Sequence, residues 1–87
     1  MAAYDVNRVL WDFKEAPDKA AVLADKEGFL ARYRLSQAER QAFLGPNFAA
    51  LLDAGALPNL VFKYYVAHGL SAERYAERIK ADRAAAG

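Results

Sequence analysis

The sequence contains no cysteine and only one histidine, His68. Without thiols it can form no disulfide and offers no cysteine nucleophile, and one imidazole is too few for the usual zinc or non-haem iron ligand sets. Its two serines, Ser36 and Ser71, both precede predicted helices as caps. His68 ends a predicted helix, where a protonated imidazole would favour the helix dipole. The residues therefore predict no catalytic group and no metal site in this chain.

Long apolar runs and charge of one sign are also missing. The longest apolar run, Leu57 to Val66, is interrupted by Asn59 and Lys63 and is too short to span a bilayer. Twelve Lys and Arg balance eleven Asp and Glu to a net charge of +1, without a basic run. This pattern excludes a membrane span and argues against a nucleic-acid partner. With no signal peptide at the start and no disulfide, we expect a cytoplasmic protein.

The sequence is rich in helix-forming and apolar residues. Its 87 residues allow one small domain, and 55% of them are hydrophobic, a surplus that favours burial against a second chain. Between the glycines and prolines the apolar residues recur at helical spacing, and alanine is abundant. We therefore predict an all-α, compact bundle of about six to seven short helices, forming a single domain over residues 1–87 with a frayed tail from about residue 82.

Helix boundaries follow from capping residues and helix breakers. A capping box of Ser36 and Glu39 opens one helix, which Gly45 and Pro46 stop after residue 44. Gly55 suits a left-handed helix end. The first predicted helix is capped by Asp5 and has an apolar inner face formed by Val6, Val9, Leu10 and Phe13. A short helix starting at Pro17, a helix over Glu27–Tyr33 and the Ser36 helix follow. The last three predicted helices are one capped by Asn47, one over Asn59–His68 and one capped by Ser71.

The helix that begins after Pro58 has two apolar faces. At 100° per residue, one face collects Leu57, Leu60, Val61, Tyr64 and Tyr65. Asn59, Phe62 and Val66 fall on the opposite face. Since a surface helix normally has one apolar stripe, this helix is either central in the bundle or sandwiched against a partner. Phe62 could equally be ordinary core, with Asn59 a first-turn residue.

Trp11 lies off the inner face of the first helix, at a position that is either exposed or covered by a neighbouring helix. Exposed tryptophan is enriched at interfaces. Trp11 is therefore a second candidate for contact with a partner.

The segment from Gly28 to Leu44 reads GFLARYRLSQAERQAFL, an aromatic–leucine pair and an aromatic followed by a capped Leu-Ser-x-x-Glu-Arg helix. A short Ala/Leu-rich helix, a glycine and the Asn-led apolar segment Asn59–Lys63 come next. In order and spacing, these elements resemble the small, LigA-like subunit of protocatechuate 4,5-dioxygenase and its type II (class III) extradiol relatives, over about Val22 to Ile79. Leu57 and Pro58 replace a glycine of the longer subunits, so the chain is similar to the compact versions.

The resemblance implies a non-catalytic subunit. In that family a larger β subunit holds Fe(II) on two histidines and a carboxylate and cleaves a catechol-type ring with O₂, while the small subunit covers the active-site mouth. The family's Asn-x-x-Phe element matches Asn59 and Phe62, which we expect in the substrate pocket. Lys63, Tyr65 and Val66 beside it, together with Trp11, are candidates for the same pocket or the partner interface.

Two other readings remain open. The apolar surplus could serve a helical protein–protein interaction module, or a homodimer, unrelated to ring cleavage. A helix-turn-helix DNA-binding protein would be supported only by Arg32, Arg34 and Arg40, and the near-zero net charge opposes it because phosphate contacts supply most of such affinity.

Overall fold

A computed structural model describes residues 2–86, with side chains over residues 4–85. This part of the chain is all-α, as predicted, and contains no strand. No helix in it is long and apolar enough to cross a membrane. The helices are α1 (Ala2–Glu15), α2 (Lys19–Ala24), α3 (Lys26–Leu30), α4 (Gln37–Leu44), α5 (Phe48–Asp53), α6 (Pro58–Ala67) and α7 (Tyr75–Ala86), with a 3₁₀ turn at Ala72–Arg74 before α7.

The middle helices start and stop where their capping residues predict. Ser36 Oγ accepts from the N–H of Glu39 at 3.1 Å, and the Glu39 carboxylate accepts from the N–H of Ser36 at 2.8 Å. Asn47 caps α5 by accepting from the N–H of Ala50 at 2.9 Å. Gly55 has φ of 99°, the left-handed conformation that glycine adopts without strain. These hydrogen bonds and the backbone angle confirm the predicted helix ends. The sequence could predict the caps because a capping side chain bonds to a residue only a few positions away.

Two predicted helix starts are wrong. Asp5 lies inside α1 and its carboxylate instead accepts from the N–H of Arg34 at 3.0 Å. Pro17 precedes α2 without belonging to it, because Asp18 accepts from the N–H of Ala21 at 3.1 Å and so takes the capping position. A carboxylate cap stabilises the first turn more directly than proline, which only presets one backbone angle.

The third and last helices also differ from prediction. The segment predicted as Glu27–Tyr33 is helical only as far as Leu30. Ser71 makes no capping hydrogen bond through its side chain within residues 2–86, and the chain after it forms the 3₁₀ turn before α7.

Tyr64 of α6 lies at the centre of the core. Its ring meets the edges or faces of Phe13, Phe43 and Phe48 at centroid distances of 5.1, 5.7 and 6.0 Å, so α1, α4 and α5 all converge on it. Its hydroxyl donates to the backbone oxygen of Phe43 at 2.9 Å, which satisfies a buried polar group. Tyr64 thereby determines how α6 is rotated within the bundle.

Asp82 holds α7 against α5. Its carboxylate accepts from the N–H of Phe48 at 2.8 Å and from Nε of Arg78 at 2.8 Å, and its backbone oxygen accepts from the Asn47 amide at 3.2 Å. The sequence predicts fraying from about residue 82, whereas α7 continues to Ala86 and Asp82 is buried. The carboxylate of Asp82 lies 34 residues along the chain from the N–H of Phe48 that donates to it, so the contact leaves no local signal in the sequence.

We expect Asp82→Ala to lower the free energy of unfolding by about 2 kcal/mol, because it leaves the buried N–H of Phe48 without an acceptor. The matched control is Asp53→Ala, which removes the exposed ion pair with Arg83 between the same two helices. That change should cost about 0.5 kcal/mol or less. Urea denaturation followed by circular dichroism measures both, and equal losses would contradict the role given to Asp82.

Candidate functional site

One face of α6 is buried and the opposite face is exposed. Leu60 and Val61 lie in the core with Tyr64, whereas Phe62 is 36% and Val66 is 41% exposed. Both are large apolar side chains on a helix whose other side is fully packed. The second apolar face found in the sequence is therefore only partly covered by the residues that the structure describes.

Leu57 does not follow the predicted grouping. Helical spacing assigns it to the buried face, but it is 53% exposed. Leu57 is the residue before the first turn, with extended backbone angles of φ −69° and ψ 128°, so helical spacing does not apply to it. It joins the exposed apolar residues instead.

Tyr65 is packed in the core and also lines a cleft of about 330 Å³ together with Ser71 and Arg78. Its role in a substrate pocket or partner interface stays a prediction. Tyr65 is 2% exposed and its hydroxyl donates to the backbone oxygen of Ser71 at 2.5 Å. Its ring lies nearly parallel to that of Phe62 at 6.3 Å, and Tyr75 packs edge-on against Phe62 at 5.1 Å. Tyr65 and Tyr75 thus hold Phe62 in one orientation from the inside.

A groove of about 480 Å³ lies beside Phe62, between α6, the end of α1 and the start of α2. Apolar atoms form most of its wall, and ammonium groups stand around it. Its lining residues are Phe13, Lys14, Lys19, Phe62, Lys63, Val66 and Ala67. Lys63 and Val66, predicted on other grounds, therefore lie at one surface with Phe62.

Trp11 is 51% exposed and lies next to this groove. The ammonium of Lys14, one of the groove residues, is 4.2 Å from the centre of the Trp11 ring, a cation–π contact. Of the two readings of Trp11, the exposed one is correct. Trp11 extends the apolar surface from α6 onto α1.

Asn7 joins α1 to the start of α6, a role that sequence reasoning missed. Its amide nitrogen donates to the backbone oxygen of Gly55 at 3.1 Å, and its amide oxygen accepts from the N–H of Leu57 at 2.8 Å. One side chain thus clamps both sides of the turn into α6. The available signal was an asparagine inside a helix, where it is a poor helix former and usually bonds elsewhere.

Phe62, Val66 and the lysines line the groove, and Trp11 borders it through its contact with Lys14. We call Trp11, Phe62, Val66 and the lysine-rimmed groove the α1–α6 face. Asn59 is exposed in the first turn of α6, one turn before Phe62, but does not line the groove. Its side chain makes no hydrogen bond to any residue in the described part of the chain, so its donor and acceptor are both available.

His68 is hydrogen-bonded to the backbone of its own helix. Its Nδ1–H donates to the backbone oxygen of Tyr64 at 2.7 Å, an assignment that follows because a carbonyl can only accept. Burial lowers the pKa of His68, and the charges of Lys26 and Arg78 lower it further. His68 is the C-cap residue at the end of α6, as expected, and the lowered pKa favours the neutral ring over the protonated one. Within residues 2–86, no three His, Cys, Asp or Glu side chains converge as metal ligands would.

Comparison with known proteins gives one match. The family model described as "Aromatic-ring-opening dioxygenase LigAB, LigA subunit" matches residues 6–85. The matched range contains the whole of α6, the groove and Trp11. No curated protein and no solved structure matches the chain.

His68 predicts a specific pH dependence of stability. An unfolded histidine takes up a proton near pH 6.5, whereas the folded pKa is lower, so the unfolded state binds more protons in between. We expect the free energy of unfolding to be constant above pH 7 and to fall as the pH decreases below about 6.5. His68→Asn retains a donor at the Nδ1 position and should flatten the curve between pH 5.5 and 7.5. Urea titrations at each pH test this, and identical curves for the two proteins would contradict it.

Proposed function

This chain belongs to the LigA family of small subunits of aromatic-ring-opening dioxygenases, and we propose that it covers the active-site mouth of a larger, Fe(II)-bearing extradiol subunit. The observation that carries the proposal is the exposed second face of α6. Phe62 and Val66 stay partly in water although their helix is the centre of the core. Exposed apolar patches of this kind mark interaction sites.

The α1–α6 face has the features of a preorganised interface. Phe62 is held by Tyr65 and Tyr75, and Asn7 fixes the start of α6 on α1. Rigid aromatic side chains bind at a low cost in conformational entropy. A large subunit docking here would find Trp11 and Phe62 already in place as anchors, the residue types that dominate binding energy at interfaces.

We assign Asn59 and Phe62 to the rim of a catechol-type substrate pocket shared with the large subunit. The free amide of Asn59 can donate to or accept from a substituent of the ring, and the Phe62 ring can pack against an aromatic substrate. The iron belongs to the large subunit, because a single histidine engaged with Tyr64 does not fit the required ligand set. This chain therefore orients substrate and excludes water, without taking part in oxygen chemistry.

A helical interaction module with an unrelated partner would use the same surface. The two functions differ in what the complex does. Binding without any effect on ring cleavage would favour the interaction module.

Phe62→Ala should weaken binding of the large dioxygenase subunit about 10-fold or more and raise KM for the catechol substrate, because it removes an interface anchor beside the pocket. Tyr4→Ala is the control: Tyr4 is also an exposed aromatic, at 63%, but lies outside the α1–α6 face. Calorimetry with the large subunit of the same organism gives Kd, and oxygen uptake gives KM. Unchanged Kd and KM in the Phe62 variant would overturn the proposal.

Trp11 is the only tryptophan and provides a second readout. A chain labelled with 5-fluorotryptophan carries one fluorine signal, from a side chain that is 51% exposed. We expect this signal to shift and to lose its sensitivity to D₂O when unlabelled large subunit is added, because the ring becomes buried. A signal unaffected by complex formation would place the interface elsewhere.

A further inference from the structure

We propose that the docking partner inserts an apolar side chain into the groove of the α1–α6 face and flanks it with carboxylates that pair with Lys19 and Lys63. This inference rests on the proposed function and adds the chemistry of the partner's contact segment. It concerns the groove that Phe62 lines together with Lys19 and Lys63.

The groove is shaped for an apolar group. Phe13, 2% exposed, forms part of its inner wall and is fixed from behind by Tyr64 at 5.1 Å. Phe62 and Val66 line its outer part. Binding of an apolar group to this wall is favourable because it removes apolar surface from water. The entropic cost is small because the side chains of the wall are already packed in place. The volume of about 480 Å³ is open enough for a partner segment to enter.

The rim of the groove carries a positive charge that this chain only partly neutralises. Lys14 pairs with Glu15 at 2.8 Å. Lys19 donates to the backbone oxygen of Ala16 at 3.1 Å, which positions its ammonium without neutralising it. Lys63 has no carboxylate within 4.0 Å among residues 2–86.

Glu15 reports the same positive field. Its pKa is lowered by the hydrogen bond and charge of Lys14 and, to a smaller extent, by the charge of Lys19. A second acidic group brought to this rim by a partner would be stabilised in the same way. Charge complementarity across an interface selects partners and accelerates their association.

The same charges disfavour a second copy of this chain as the occupant. In a two-fold dimer whose axis passes through the groove, each groove would meet that of its partner, so the lysine rims would oppose one another. Like charges placed together are repulsive. A segment of a different protein, with an apolar side chain flanked by carboxylates, complements both the apolar wall and the positively charged rim.

The test compares two double variants in the binding assay with the large subunit. The double variant Lys19→Glu, Lys63→Glu reverses the charge of the rim and should raise Kd about 10-fold or more. For the unmodified chain we expect Kd to increase with NaCl concentration, and this increase should be smaller for the variant. Arg34→Glu with Lys80→Glu is the control, since it makes the same charge change at exposed residues outside the groove. Circular dichroism confirms that both variants fold.

Each outcome decides between the proposals. If Phe62→Ala weakens binding but the Lys19/Lys63 variant matches its control, the acidic segment is overturned and the proposed function stands. If neither change affects binding, or the unmodified chain does not bind, both proposals fail. The last experiment is sedimentation of the chain alone. If the chain forms concentration-dependent dimers and the Lys19/Lys63 variant does not, a second copy of the chain occupies the groove and this inference is overturned.

Discussion

The packing around Tyr64 decides how the helices of this bundle are arranged. Its ring contacts three phenylalanines from three different helices, and its hydroxyl is bonded to the backbone of Phe43. Moving it would leave a buried hydroxyl unpaired and open a cavity at the centre of a small core. Because Tyr64 sets the rotation of α6, it also determines that Phe62 and Val66 point outward.

The surface of this LigA-family chain follows from that core. Helix α6 has more apolar residues than one face can bury, and the bundle is too small to wrap it. Asn7 and the Phe62–Tyr65–Tyr75 cluster then make the remaining face rigid. In the proposed complex, this face would contribute shape, apolar area and charge to an active site formed with another chain.

Local features were predictable from the sequence, and long-range ones were not. The helices around Ser36 and Asn47, and the two faces of α6, depend on residues a few positions apart. The contacts of Asn7 and Asp82 join residues 34 to 50 positions apart and have no such pattern. Tyr65 is instructive, because helical spacing placed it on the buried face while its nearness to the Asn59–Phe62 element suggested a pocket. The spacing correctly predicted its burial, since packing decides where a side chain points.

The Asn7 clamp has a consequence for the order of events during synthesis. Its two bonding partners belong to Gly55 and Leu57, so α1 cannot take its final place until that turn has left the ribosome. Trp11 and the groove therefore form a single surface only late in translation. A partner that recognises this surface therefore meets it only after residues as far as Ala67 have been synthesised.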